Sequence, residues 1–159
     1  MNEIEKLVAI ENIRLQLYLY CQGVDRRDWS AVRSVFADEL EHSHGSFKGS
    51  ADEFIEFASK FMKNIKTTQH SITNLLFDFS ADGLSASTFA YFNAVHFIEQ
   101  HAVATVKIGG TNIDAEDKDT DWLVEGTYDD RWVLRDGQWL IVQRLAKHNW
   151  ERMEPAMPR

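Results

Sequence analysis

The chain has 159 residues, 44% of them apolar and 12% aromatic, which is enough for one domain with a sizeable core and excludes a disordered chain. Acidic residues outnumber basic ones by 25 to 17, and a formal charge of -8 with a pI near 5.2 argues against a nucleic-acid partner, whose phosphates call for clustered Lys and Arg. The stretch from Met1 to Lys6 has no basic segment leading into an apolar run, and no apolar stretch approaches the ~20 residues of a membrane span, so a cytoplasmic protein without a membrane partner is expected.

From Glu3 to Gln22 the residues Ile4, Leu7, Val8, Ile13, Leu17, Tyr20 and Cys21 recur at roughly helical spacing. This predicts a long helix with one buried face, stopping at Gly23. Cys21 has no partner for an internal disulfide and reads as a buried thiol. A second helix is predicted from Asp28 to Phe36, with Asp28 as N-cap and Trp29, Val32, Val35 and Phe36 turned inward. Asp25 then falls in the connection between two packed helices. Leu40 to Phe47 reads as a short strand, after which Ser50 caps a third helix to about Asn64, with Phe54, Ile55, Phe57, Ala58, Phe61 and Met62 as its apolar positions.

Beyond that helix the period changes to alternation, with strands predicted near 67–79, 84–107, 121–135 and 138–150. Asp82-Gly83 and Asp136-Gly137 are hairpin turns, so the long strands form an antiparallel meander. Gly109 to Asp121 is glycine-rich and then acidic and reads as a long solvated hairpin loop. Its acidic run, from Asp114 to Asp121, lacks the central glycine and closing glutamate of a calcium loop. Pro155 and Pro158 mark a loose tail from about residue 152. With no repeat or linker, residues 1–159 read as one α+β unit whose helices cover a strongly curved sheet.

Strand alternation groups Leu140, Val142, Arg144, Ala146, His148 and Trp150 on one face of the last strand, opposite Trp139, Ile141, Gln143, Leu145 and Lys147. In the strand before the acidic loop, Ala90, Phe92, Ala94, His96 and Ile98 share a face. Such mixtures suit an apolar pocket with a few polar groups, with Phe92, Val142, His148 and Trp150 as candidate lining residues. Asp25 and His70 are the residue types of a proton-abstracting unit, because a carboxylate fixes the imidazole tautomer and stabilises the imidazolium that forms. Each residue also has a plainer use. Asp25 could cap the next helix or pair with Arg26 or Arg27, His70 could be structural, and Arg144 could pair with a core carboxylate such as Glu125. His96 and His148 could lie at the outer edge of the sheet. His42 and His44 share a strand face without an evident third ligand, so a half-exposed strand is expected there and no metal site.

The run Tyr20-Cys21-Gln22-Gly23-Val24-Asp25, then Asp28-Trp29 and Phe36, resembles the start of the SnoaL-like group of the nuclear transport factor two superfamily. The likeness continues at Gln69-His70, Asn74, Gly126-Thr127-Tyr128 and Arg135-Asp136-Gly137-Gln138-Trp139 to Arg144, and spans nearly the whole chain. It implies a cone-shaped α+β barrel in which three N-terminal helices and a bent, mostly antiparallel sheet enclose a hydrophobic pocket. Asp25 and His70 match the Asp-His dyad of the dehydrochlorinase and dehydratase branch, and Arg144 matches an assisting arginine of the dehydrochlorinase. Tyr20 stands where the dehydrochlorinase has lysine and is similar to the bile-acid dehydratases, while His96 falls near a second histidine of scytalone dehydratase. The resemblance implies a cofactor-independent lyase or isomerase acting on a hydrophobic cyclic small molecule. His70 would take a carbon-bound proton, Asp25 would orient it, and Tyr20, His96 or Arg144 would assist the oxyanion or leaving group. The superfamily also holds noncatalytic binding or assembly modules and dioxygenase β-subunits, and it commonly self-associates, so a homodimer or homotrimer is expected.

Overall fold

The computed structural model describes residues 1–100 and 118–156. Two α-helices, α1 (Glu3–Arg26) and α2 (Trp29–Ser34), precede the strands β1 (Phe36–His44) and β2 (Phe47–Gly49). Helix α3 (Ala51–Phe61) and a 3₁₀ turn (Met62–Asn64) lead into β3 (Thr67–Phe79), β4 (Ser85–Ile98), β5 (Thr120–Arg135) and β6 (Gln138–Pro155). The strands form one sheet in the order β2-β1-β6-β5-β4-β3, in which β3 to β6 make the antiparallel meander read from the sequence. The meander leaves β6 an open edge, and β1 pairs with it in parallel. The two outer strands, β2 and β3, do not pair with each other, so the sheet is curved and unclosed. Most of the segment read as an acidic loop lies outside the described residues.

Local chemistry explains most element ends. Asn2 with Glu5 and Ser50 with Glu53 form reciprocal capping boxes that satisfy the first amides of α1 and α3, and the Asp28 side chain accepts the Ala31 N–H at the start of α2. Asp136 and Gly137 both take positive φ in the two-residue turn between β5 and β6, as a hairpin with the right twist requires.

Gly23 does not stop α1, which continues to Arg26 and is capped by Arg27 at a left-handed φ of 58. It serves instead as a close approach, since a Cβ there would stand 2.8 Å from Val32 Cγ2 of α2. The buried stripe of α1 also differs from the one expected. It comprises Ala9, Ile13, Leu17, Tyr20, Cys21 and Val24, whereas Ile4, Leu7 and Val8 are exposed. At about 100° per residue, Ile4, Val8 and Leu15 lie on the far side of the helix from Ile13 and Leu17, so the helix carries two apolar faces and only one is packed.

Strand β4 keeps the expected alternation, with Ala86, Thr88, Ala90, Phe92, Ala94, His96 and Ile98 all buried. Strand β6 does not, because its register against β5 shifts twice, at Arg131/Trp132 and at Glu125/Gly126. The first shift places Trp139 and Ile141 on the buried side together with Arg144 and Ala146 and takes Val142 out of the alternation. The second leaves His148 opposite Gly126 but puts Trp150 opposite Glu125, where it is 46% exposed. The tail expected from residue 152 is ordered up to Pro155, because Arg152 to Pro155 pair with Leu123 to Thr120.

Gly126 shows why the second bulge needs glycine. A Cβ there would stand 2.0 Å from the Lys147 carbonyl oxygen and 2.6 Å from the Phe92 ring. Gly126→Ala is therefore expected to lose roughly 1–3 kcal/mol in urea unfolding, since the nearest atom belongs to the backbone and cannot rotate away. An unchanged midpoint would show that the bulge relaxes freely.

Candidate active site

The helices and the concave face of the sheet enclose a cavity of about 210 Å³. Its wall is largely apolar and aromatic, with Val24, Phe54, Phe61, Met62, Phe92, Trp122 and Tyr128 among the lining residues. Against it stand four histidines, His44, His70, His96 and His148, together with Tyr20. This combination is that of a small-molecule pocket, and its volume falls below the usual range of about 300–1,000 Å³.

Asp25, in the last turn of α1, reaches β3. Its Oδ1 lies 2.7 Å from His70 Nδ1, and its Oδ2 accepts the His70 backbone N–H at 3.0 Å. Both carboxylate oxygens are thus committed to one residue, which fixes ring and backbone together. The side chains are 10% and 21% exposed for His70 and Asp25, and His70 lines the cavity while Asp25 holds it from outside the lining. With Nδ1 engaged, Nε2 is the His70 nitrogen left for a ligand.

His96 lies on the neighbouring strand with its ring edge-on to His70 at 5.4 Å, and it stacks on Trp122 at 4.5 Å. Its Nδ1 is 3.3 Å from the Trp122 carbonyl, which can only accept, so the proton belongs on Nδ1 and Nε2 carries a lone pair. Burial, and after it the neighbouring His70, lowers its pKa to about 3. His96 is therefore a neutral acceptor at physiological pH.

Tyr20 lines the cavity and Arg144 does not. Arg144 is 1% exposed and is stacked between the rings of Tyr20 and Tyr128, 4.4 and 4.3 Å from their centroids. It forms a bidentate pair with Asp130 at 2.8 and 2.6 Å rather than with Glu125, whose side chain accepts from Asn93. Burial opposes its charge, but Asp130 overcomes this and raises its pKa above the ordinary value. The guanidinium lies behind the two tyrosines, outside the cavity lining, and its charge is matched by Asp130 within the core. Of the four expected lining residues, Phe92 and His148 line the cavity, whereas Val142 and Trp150 are moved off it by the bulges of β6.

The sequence reading also missed His44 as a lining residue. Leu40, His42 and His44 alternate along β1 on its inner side, a period that was legible, but the parallel pairing of β1 with β6 that turns this face to the cavity was not. His42 is fully enclosed behind the cavity, 4.1 Å from the Phe54 ring, and neither of its ring nitrogens has a partner. Among the described residues no group of three or more His, Cys, Asp or Glu is arranged to hold a metal ion. Cys21 is buried, with its pKa pushed up to about 12 by burial, which leaves the thiol unreactive.

The buried imidazoles make stability depend on pH. Burial lowers His42 to about 2 and His96 to about 3. The unfolded chain takes up protons on both near pH 6.5, so their contribution is complete above that pH and is lost as pH falls toward the folded values. At pH 5 each is expected to have removed about 2 kcal/mol relative to pH 7. Urea midpoints at the two pH values check this, and His42→Leu should flatten the dependence while leaving the fold at least as stable at pH 7. A profile unchanged by His42→Leu would show that His42 is hydrated or already charged.

Comparison with known proteins points the same way as the fold. Residues 5–145 match the sequence profile of the SnoaL-like domain. No curated protein matches the sequence significantly. Among solved structures, a protein assigned as a scytalone dehydratase from Novosphingobium aromaticivorans is similar, at 18% identity and a TM-score of 0.75 over 99% of this chain and 94% of that one. A hexachlorocyclohexane dehydrochlorinase from Novosphingobium barchaimii matches at 14% identity and a TM-score of 0.78, over 99% of this chain and all of the other (100%). At these identities the two establish the fold that the chains share.

Proposed function

From a chain that belongs to the SnoaL-like domain family, we propose a cofactor-independent lyase of the dehydratase type, acting on a compact hydrophobic cyclic molecule. The observation that carries this reading is the 2.7 Å contact between Asp25 and His70 at the wall of an apolar cavity. His70 Nε2 takes a proton from a carbon next to an electron-withdrawing group, and Asp25 holds the resulting imidazolium. The C–H electron pair then forms the double bond as the leaving group departs with its own electrons. Isomerisation begins with the same transfer and differs only in where the proton returns. Tyr20, whose pKa burial raises, keeps its proton and donates to developing negative charge. His96, with a lone pair on Nε2, orients a substrate donor. The dehydratase and dehydrochlorinase among the similar structures support elimination over other acid-base reactions.

The test is a screen of hydroxylated and halogenated cyclic carbon acids in D₂O, followed by NMR for both elimination and carbon-bound deuterium exchange. Activity that vanishes in His70→Ala with the near-UV spectrum unchanged is the expected result. Activity that survives that substitution rejects the mechanism, and ligand binding without turnover or exchange favours a noncatalytic binding module.

A further inference from the structure

The cavity holds two pairs of histidines, and the chemistry above uses one. His70 and His96 belong to β3 and β4, at one end of the sheet order, while His44 and His148 belong to β1 and β6, across β5. Between the pairs the wall is aromatic, with Phe92 stacked on Tyr128 at 4.5 Å. His44 Nε2 and His148 Nε2 face each other at 3.3 Å, beyond the 2.7–3.2 Å of a well-made hydrogen bond. Burial lowers the pKa of both rings, His44 to about 3, so the pair is uncharged at neutral pH. Two neutral imidazoles in opposite tautomers meet here as one Nε2–H and one Nε2 lone pair.

We propose that His44 and His148 form a clamp for a hydroxyl group at the end of the substrate remote from His70, which makes the substrate class compact ring compounds bearing an alcohol or phenol. The proposal rests on the cavity being the substrate site and adds what the substrate carries at its second end. A hydroxyl between the two nitrogens accepts from one and donates to the other, and it replaces one long N···N contact with two hydrogen bonds. With the rings in opposite tautomers, a carbonyl or ether oxygen, which only accepts, matches only the nitrogen that carries hydrogen. His148 is the more exposed of the two and touches Phe92, with ring centroids 6.0 Å apart, whereas His44 is held between Phe54 and Tyr128, with centroids at 6.0 and 6.4 Å. Selectivity follows because a compound without the hydroxyl parts the pair and returns no hydrogen bond.

The experiment compares 2-naphthol with naphthalene by calorimetric titration of the full chain, with imidazole ¹⁵N signals followed by NMR. The wild type is expected to prefer 2-naphthol by at least about 10-fold, with the His44 and His148 signals moving on binding. In His44→Phe and in His148→Phe the preference should collapse to about 1 while naphthalene still binds, and in His70→Ala it should persist. His148 is exposed, so His148→Phe carries the test by itself if His44→Phe does not fold. A preference that survives His148→Phe, one lost equally in His70→Ala, or a wild type that binds neither compound overturns the proposal. Because the readout is binding, failure of the elimination mechanism would appear separately, as turnover retained in His70→Ala.

Discussion

Asp25→Asn is expected to lower kcat by about 10³- to 10⁴-fold, equivalent to about 4–5 kcal/mol of transition-state stabilisation, with a much smaller change in KM. The carboxylate has two tasks at one residue, since Oδ2 accepts the backbone N–H of His70 while Oδ1 holds its ring Nδ1. An amide can perform only one. If its oxygen keeps the backbone bond, its NH₂ turns toward Nδ1 and selects the tautomer with hydrogen on Nε2, which cannot act as a base. If it flips, the ring is satisfied and an NH₂ faces the backbone N–H. In either case the negative charge that would stabilise the imidazolium is gone. The kcat and KM of wild type and Asp25→Asn on any substrate found in the screen decide the matter, with circular dichroism to establish the fold. A variant within about 10-fold of wild type in kcat would make Asp25 a structural cap of β3.

The parts of this molecule that were legible in the sequence depend on neighbours close along the chain. The caps at Asp28 and Ser50, the Asp136-Gly137 turn and the alternation of β4 are set within a few residues, and all are observed. What was not legible depends on the partner of each element. The apolar residues of α1 merged two stripes into one, because periodicity counts apolar positions without saying which face meets the sheet. The faces of β6 were misassigned because each bulge adds one residue and inverts every side chain beyond it. Trp150 left the cavity and Ile141 joined Arg144 for that reason. Gly23 resembled a helix stop, since a glycine required for close packing and one required for a turn look identical without the packed neighbour. The carboxylate partner of Arg144 was not legible either, since it is Asp130, fourteen residues away in sequence and directly across the hairpin, and not Glu125.

Arg144→Met is expected to cost about 3–5 kcal/mol and to lower the melting temperature by about 10 °C. The loss comes less from the ion pair itself than from what the substitution leaves behind. Asp130 is 0% exposed, and both of its carboxylate oxygens are held by Arg144, so the shorter apolar side chain strands a carboxylate in the core. The carboxyl must then take up a proton or draw in water. The guanidinium also fills the space between the rings of Tyr20 and Tyr128, so the variant loosens the cavity wall as well. Removing both partners should behave differently. Arg144→Met combined with Asp130→Leu leaves no stranded charge and is expected to regain most of the lost stability, because a buried pair contributes little net against well-packed apolar groups. Chemical unfolding of the two single variants and the double variant separates the terms. If the double variant is no more stable than Arg144→Met, packing of the arginine between the tyrosines, and not neutralisation of Asp130, is what Arg144 contributes to the core.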